Sequence, residues 1–159
     1  REEQVEEKIT KYKRTAAAEG AGTGFGGLWW GLADLPMLLG IKMKFLYDTA
    51  GLYGFDIKDV RERLYMLYIF QTAFSSDEKR IDAFLTLKNW PESISAYTSL
   101  NELDWQAFQL EYRDYIDLAK LFQLIPGFGA IVGGIANYRF LDHLGTTAMN
   151  AYRMRLLGH

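Results

Sequence analysis

The sequence predicts an all-α fold, and three observations carry that prediction. Apolar residues recur at helical spacing in one segment after another, as in Leu64, Leu67, Tyr68, Phe70 and Phe74. The β-branched residues are scattered and no asparagine-glycine hairpin signal occurs, so no strand pattern competes. The glycines are segregated. Nine of the 15 lie between Gly20 and Gly54, six lie from Gly127 onward, and none falls from Phe55 to Pro126. A conventional helical middle is thus bracketed by two glycine-rich apolar segments, which are expected to pack together in a compact multi-helix bundle.

In chain order, residues 1 to 19 mix acids and bases, as in Glu7 with Lys11, while Val5, Ile9 and Tyr12 share one side. That pattern predicts a helix with a narrow apolar stripe. Small residues then recur at four-residue spacing through Ala16, Gly20 and Gly24, and through Ala18, Gly22 and Gly26. Glycine weakens a helix by about 1 kcal/mol relative to alanine, so such a run implies close approach of two backbones or else a flexible loop. Asp34 and Pro36 read as a cap and a first-turn proline, opening a helix that ends at Tyr53-Gly54. Asp56 with Asp59 resembles a capping pair for the next helix, expected to stop at Ser75-Ser76. Ser75 with Glu78 opens another, running through Ile81, Phe84 and Leu85 to the boundary at Trp90-Pro91. Residues 92 to 100 form a short helix or loop, and Ser99 with Glu102 starts a helix that ends before Pro126. Gly145 divides the remainder into a Gly/Ala-rich helix near 128–142 and an amphipathic one near 146–157.

Length and composition bound the function. A chain of 159 residues with 49% apolar content forms one domain, 1–159, with a sizeable core. The formal net charge of -2 disfavours nucleic acid as a partner. The absence of cysteine excludes disulfides and thiol chemistry, and two histidines supply neither a histidine-rich metal site nor most Ser-His schemes. Neither glycine-rich segment carries the lysine and Ser/Thr of a phosphate-binding loop. No catalytic, cofactor or metal residues are assigned, and the chain is expected not to be an enzyme. Because it opens at Arg1 on a charged helical pattern, it is expected to lack N-terminal sequence of a longer protein.

Two uncharged runs raise the question of a membrane. Leu121 to Tyr138 is uncharged throughout, and Gly20 to Ile41 is interrupted only by Asp34. Both reach the lower length of a transmembrane helix, but glycine, proline and amide residues dilute them, so packed helices are the favoured reading and membrane contact the alternative. Trp29 and Trp30 would serve as interfacial anchors or sit against a partner chain. Arg153 and Arg155 form a small basic face that suits anionic lipid headgroups or simply a helix C-terminus. Asp34, Asn137 and Arg139 form a candidate polar centre, with Asp34 pairing Arg139 where the glycine-rich segments meet.

The pieces GTGFGGLWWGLADLPMLL with YGFD, DWQAFQLEYRDYIDLAK, and LIPGFGAIVGGIANYRFLDHLG with AMNAYRMR resemble the EcsC family. The likeness covers Ala16 to Leu157. It implies a bacterial helical protein, cytoplasmic or peripheral at the inner membrane, linked to an ABC transporter or envelope processes and without an established molecular activity. Implied partners are membrane lipid, a membrane transporter or a second copy in a homo-oligomer. The alternative is a soluble helical interaction module or a bundle binding an apolar ligand or lipid.

Overall fold

The computed structural model describes residues 2–22, 35–95 and 133–158, with side chains described for 2–15, 42–95 and 138–158. These residues form six helices and no strand: α1 (Glu2–Gly22), α2 (Leu35–Tyr53), α3 (Val60–Phe74), α4 (Asp77–Lys88), α5 (Trp90–Ser95) and α6 (Gly133–Leu157). The expected helix from Ser99 to Phe122, and the contact between the two glycine-rich segments, lie outside the described residues. Among those described, no helix is long and apolar enough to cross a membrane.

Helix ends follow local chemistry. Gly54, at φ +91°, adopts the left-handed conformation that glycine tolerates best, and there Gly54 N–H donates to Gly51 O at 3.1 Å and Phe55 N–H to Ala50 O at 3.0 Å. This paired closure satisfies two carbonyls at the end of α2. The next start falls three residues later than the sequence suggests. Asp56 caps only a turn, accepting from Lys58 N–H at 2.9 Å, whereas Asp59 is the true cap of α3 and accepts from Arg61 N–H at 2.9 Å. Pro91 lies in the first turn of α5, where its missing N–H costs nothing.

Among the described residues, the most extensive helix–helix contact is between α1 and α6. Glu2 meets Arg153, the Gly145 backbone meets Ile9, and Lys13 meets Asp142, so the two helices run antiparallel. α1 is also antiparallel to α2, through Tyr53 with Glu2, Lys8 with Asp48, and Tyr12 against Phe45. On the other side α3 runs antiparallel to α6, with Glu62 near Arg155 and Ala73 near His143. The core therefore lies around α6, whose Leu141, Leu144, Ala148 and Tyr152 are buried at helical spacing among Val5, Phe45, Leu46, Tyr65 and Ile69.

A further sequence expectation, the division at Gly145, is corrected. Helix α6 runs through Gly145 without a break. The glycine serves packing: a Cβ there would lie 2.8 Å from both Cδ1 and Cγ1 of Ile9, so it sets how closely α1 approaches. On α4 most of the large apolar residues point outward. Ile81, Phe84 and Leu85 are 57%, 44% and 47% exposed, while Ala83 and Leu87 are buried. The Ala/Gly run at the end of α1 is helical as far as Gly22, in keeping with the helical reading of its four-residue spacing rather than with a loop.

Gly145→Ala is expected to lower stability by about 1–2 kcal/mol, because overpacking against a stiff β-branched side chain outweighs the helix-propensity gain of about 1 kcal/mol. In an Ile9→Ala background the same substitution should cost nothing or stabilise. Urea unfolding of the four proteins measures both effects.

Candidate functional site

The densest polar cluster among the described residues lies where α2, α3 and α6 meet beside the start of α1. Glu62, in the first turn of α3, is only 3% exposed. Its Oε2 accepts from Arg155 Nη1 at 2.7 Å and its Oε1 from the Tyr152 hydroxyl at 3.1 Å. The Arg155 guanidinium lies 4.1 Å from the Phe55 ring centroid and 4.5 Å from that of Tyr65, so aromatic faces replace part of the water a cation loses on burial. Tyr65 in turn donates its hydroxyl to Ala151 O at 2.8 Å and meets Trp90 edge-on at 4.9 Å. Tyr152 stacks on Tyr53 at 5.1 Å and on Phe55 at 5.3 Å.

One layer outward, Arg153 clamps Glu2, with Nε 2.8 Å from Oε2, and Tyr53 donates to Glu2 Oε1 at 3.1 Å. The electrostatics follow from burial. Burial raises the Glu62 pKa, and the Arg155 cation offsets only part of that rise. Burial beside Glu62 raises Tyr152 well above the ordinary phenol range, and burial with the Glu2 contact raises Tyr53 to about 12. Burial thus keeps the Tyr53 and Tyr152 phenols protonated near neutral pH, and the cluster sets the Glu62 carboxyl against the ring-covered Arg155 guanidinium in a closed set of contacts.

Toward the other end of α6, the buried Lys42 Nζ lies 5.7 Å from the Phe140 ring centroid, and burial lowers its pKa to about 8. His143 is half-buried, and its Nε2–H donates to Ala73 O at 3.0 Å, satisfying a carbonyl at the end of α3. No group of three or more His, Asp or Glu among the described residues could hold a metal.

The sequence candidates fall out unevenly. Arg153 and Arg155 are side by side at this corner, and both guanidinium groups engage carboxylates of the same chain. Arg139 is exposed on α6. Asn137 belongs to α6, but its side chain, together with Asp34, Trp29 and Trp30, lies outside the described residues. Glu62, Tyr65 and Tyr152 were not singled out by sequence. Their one signal is the pairing of Glu62 with Tyr65 and of Tyr152 with Arg155 at three-residue spacing, which puts each pair on one helix face.

The described residues thus form an all-α bundle with a buried Glu62–Arg155 ion pair between α3 and α6. The chain belongs to the EcsC protein family, whose family model matches residues 1–157 and so includes α1. It is 50% identical to Protein EcsC of Bacillus subtilis (strain 168) over 155 residues, covering 98% of this chain and 63% of that protein. It is 30% identical to Uncharacterized protein YdbA of the same organism over 155 residues, covering 96% of this chain and 57% of that one. The chain therefore spans about three-fifths of the length of these relatives. No solved structure matches it.

Arg155→Met is expected to cost about 3–5 kcal/mol at neutral pH, because it leaves the Glu62 carboxylate buried without its cation. A carboxyl whose pKa is higher folded than unfolded contributes most favourably below the unfolded value, and that contribution is lost as pH rises through the folded value. The deficit of Arg155→Met relative to the parent should therefore shrink as pH falls from 7 toward 5. In a Glu62→Gln background the pH dependence of the deficit should disappear, as read from urea unfolding at each pH.

Proposed function

We propose that the chain is a non-enzymatic accessory module that acts by contact, held peripherally at the inner face of a bacterial membrane beside a transporter. The observation that carries this reading is the surface around the Arg155 corner. Because Arg155 stacks on Phe55, the α2–α3 connection and the last turn of α6 lie at one end of the bundle. There Ile57, Leu156 and Leu157 are exposed, and Lys58, Arg61 and Arg63 are exposed in the same connection and the first turn of α3.

Apolar side chains beside cations suit the headgroup layer of an anionic bilayer. The former enter the acyl boundary, and each cation near the surface contributes about 1 kcal/mol. Asp56 and Asp59 moderate the field, and Asp59 is paired with Arg61 at 3.0 Å, so the apolar residues must supply much of the affinity. The inward engagement of Glu62, Tyr152 and Arg155 supports an architectural rather than a chemical role for the buried charges. The transporter connection rests on the family resemblance. A soluble interaction module is the second reading, favoured by the exposed apolar residues of α4.

Co-sedimentation with phosphatidylglycerol-containing vesicles, against phosphatidylcholine vesicles alone, tests the membrane reading. Binding to the anionic vesicles is expected, and Leu156→Ser with Leu157→Ser should weaken it by at least about tenfold, given about 1.5–3 kcal/mol for burying each leucine. Protein that stays in the supernatant with anionic vesicles defeats the membrane reading.

A further inference from the structure

We propose that α4 is a self-association element that pairs antiparallel with α4 of a second copy of this chain. The helix turns Ala83 and Leu87 into its own core and leaves Ile81, Phe84 and Leu85 outside. Three large apolar side chains at i, i+3 and i+4 thus share the outer side of a twelve-residue helix whose other outward positions are charged or polar. Asp77, Ile81, Phe84 and Lys88 are separated by four, three and four residues, the spacing of a seam along one helix face. Leu85 widens that seam on one flank.

The ends of the seam choose the partner and its direction. Asp77, 81% exposed, stands at the first turn, and the exposed Lys88 at the last. An antiparallel pair related by a two-fold axis sets Ile81 against the partner's Phe84 at the centre and Asp77 against the partner's Lys88 at both ends. A parallel pair would place Asp77 on Asp77 and Lys88 on Lys88. Antiparallel helices also oppose their dipoles favourably. Asp77 bridges Arg80 on its own helix at 2.9 Å, and a carboxylate has lone pairs enough for a second cation.

This surface is self-complementary in apolar content and in charge, as an isologous contact must be. It is also short. Twelve residues span about 18 Å, so the contact is smaller than the roughly 800 Å² per partner of a standard stable interface. A weak, reversible dimer follows, with a dissociation constant on the order of 10–100 μM.

Sedimentation equilibrium of the 159-residue chain across a concentration series is the test, with thermal unfolding of each variant as a fold control. A monomer–dimer equilibrium is expected. Phe84→Glu, at an already exposed position, should raise the dissociation constant at least about tenfold while leaving the melting temperature unchanged. Asp77→Lys and Lys88→Glu should each weaken the dimer, and the double exchange should restore it, because only antiparallel pairing brings those two positions together. Three outcomes overturn the proposal: a monomer throughout the series, a dimer that Phe84→Glu leaves intact, or charge exchange that fails to rescue. Loss of vesicle binding in a Phe84→Glu protein whose parent is monomeric would assign the face to a bilayer instead.

Discussion

Glu62 and Arg155 are 93 positions apart in the chain and meet at 2.7 Å in a site where Glu62 has almost no solvent. Removing two charges from water costs several kcal/mol per ion, and attraction between them repays that only with good geometry and further hydrogen bonds. The surrounding residues meet those conditions. Tyr152 completes the carboxylate, Phe55 and Tyr65 cover the cation, and Trp90 closes the far side of Tyr65. A buried pair of this kind adds little net stability over an apolar replacement, but it strongly penalises any arrangement that leaves one member alone. It therefore serves register, fixing which turn of α6 lies against which turn of α3.

Register then propagates along α6. With Arg155 held, Arg153 on the same turn reaches Glu2, and about two to three turns away Gly145 meets Ile9 and Lys13 reaches Asp142. The exposed ion pairs are worth little individually. The close approach at Gly145 is worth more, because it lets Ile9 lie directly on the backbone of α6. At the other end of the α3–α6 contact His143 caps a carbonyl of α3, so that contact is closed at both ends by polar groups and filled by leucines and aromatics between them.

Much of the fold was legible because it depends on short-range chemistry. Helical periodicity identified Val5 and Ile9 as the buried stripe of α1, and Pro36 and Gly54 marked the limits of α2. Other features were illegible for specific reasons. Gly145 reads as a breaker by propensity, and only the presence of Ile9 opposite explains why a continuous helix keeps it. On α4 the apolar spacing does not show which side faces inward, and the tight contact with α3 admits Ala83 and Leu87 and leaves the bulkier residues outside. Asp56 and Asp59 both resemble caps, and the turn at Lys58 decides between them. Arg153 and Arg155 looked like a free basic face because nothing local shows that Glu2 and Glu62 arrive from distant parts of the chain. The site is a long-range object, and its polar members carry no motif.

If the clamp at Glu62 sets the register of the bundle, then α1, α3 and α6 form one cooperative unit although α1 adds no hydrogen bond to the Glu62 carboxylate. Native-state hydrogen exchange across increasing denaturant measures this most directly. Amides of α1 around Ile9, of α3 around Ile69 and of α6 around Ala148 should merge into a single opening whose free energy equals that of global unfolding, and Glu62→Ala should lower all three together. Separate exchange of α1 at a much lower free energy, unchanged by Glu62→Ala, would contradict the central place of that ion pair in the fold.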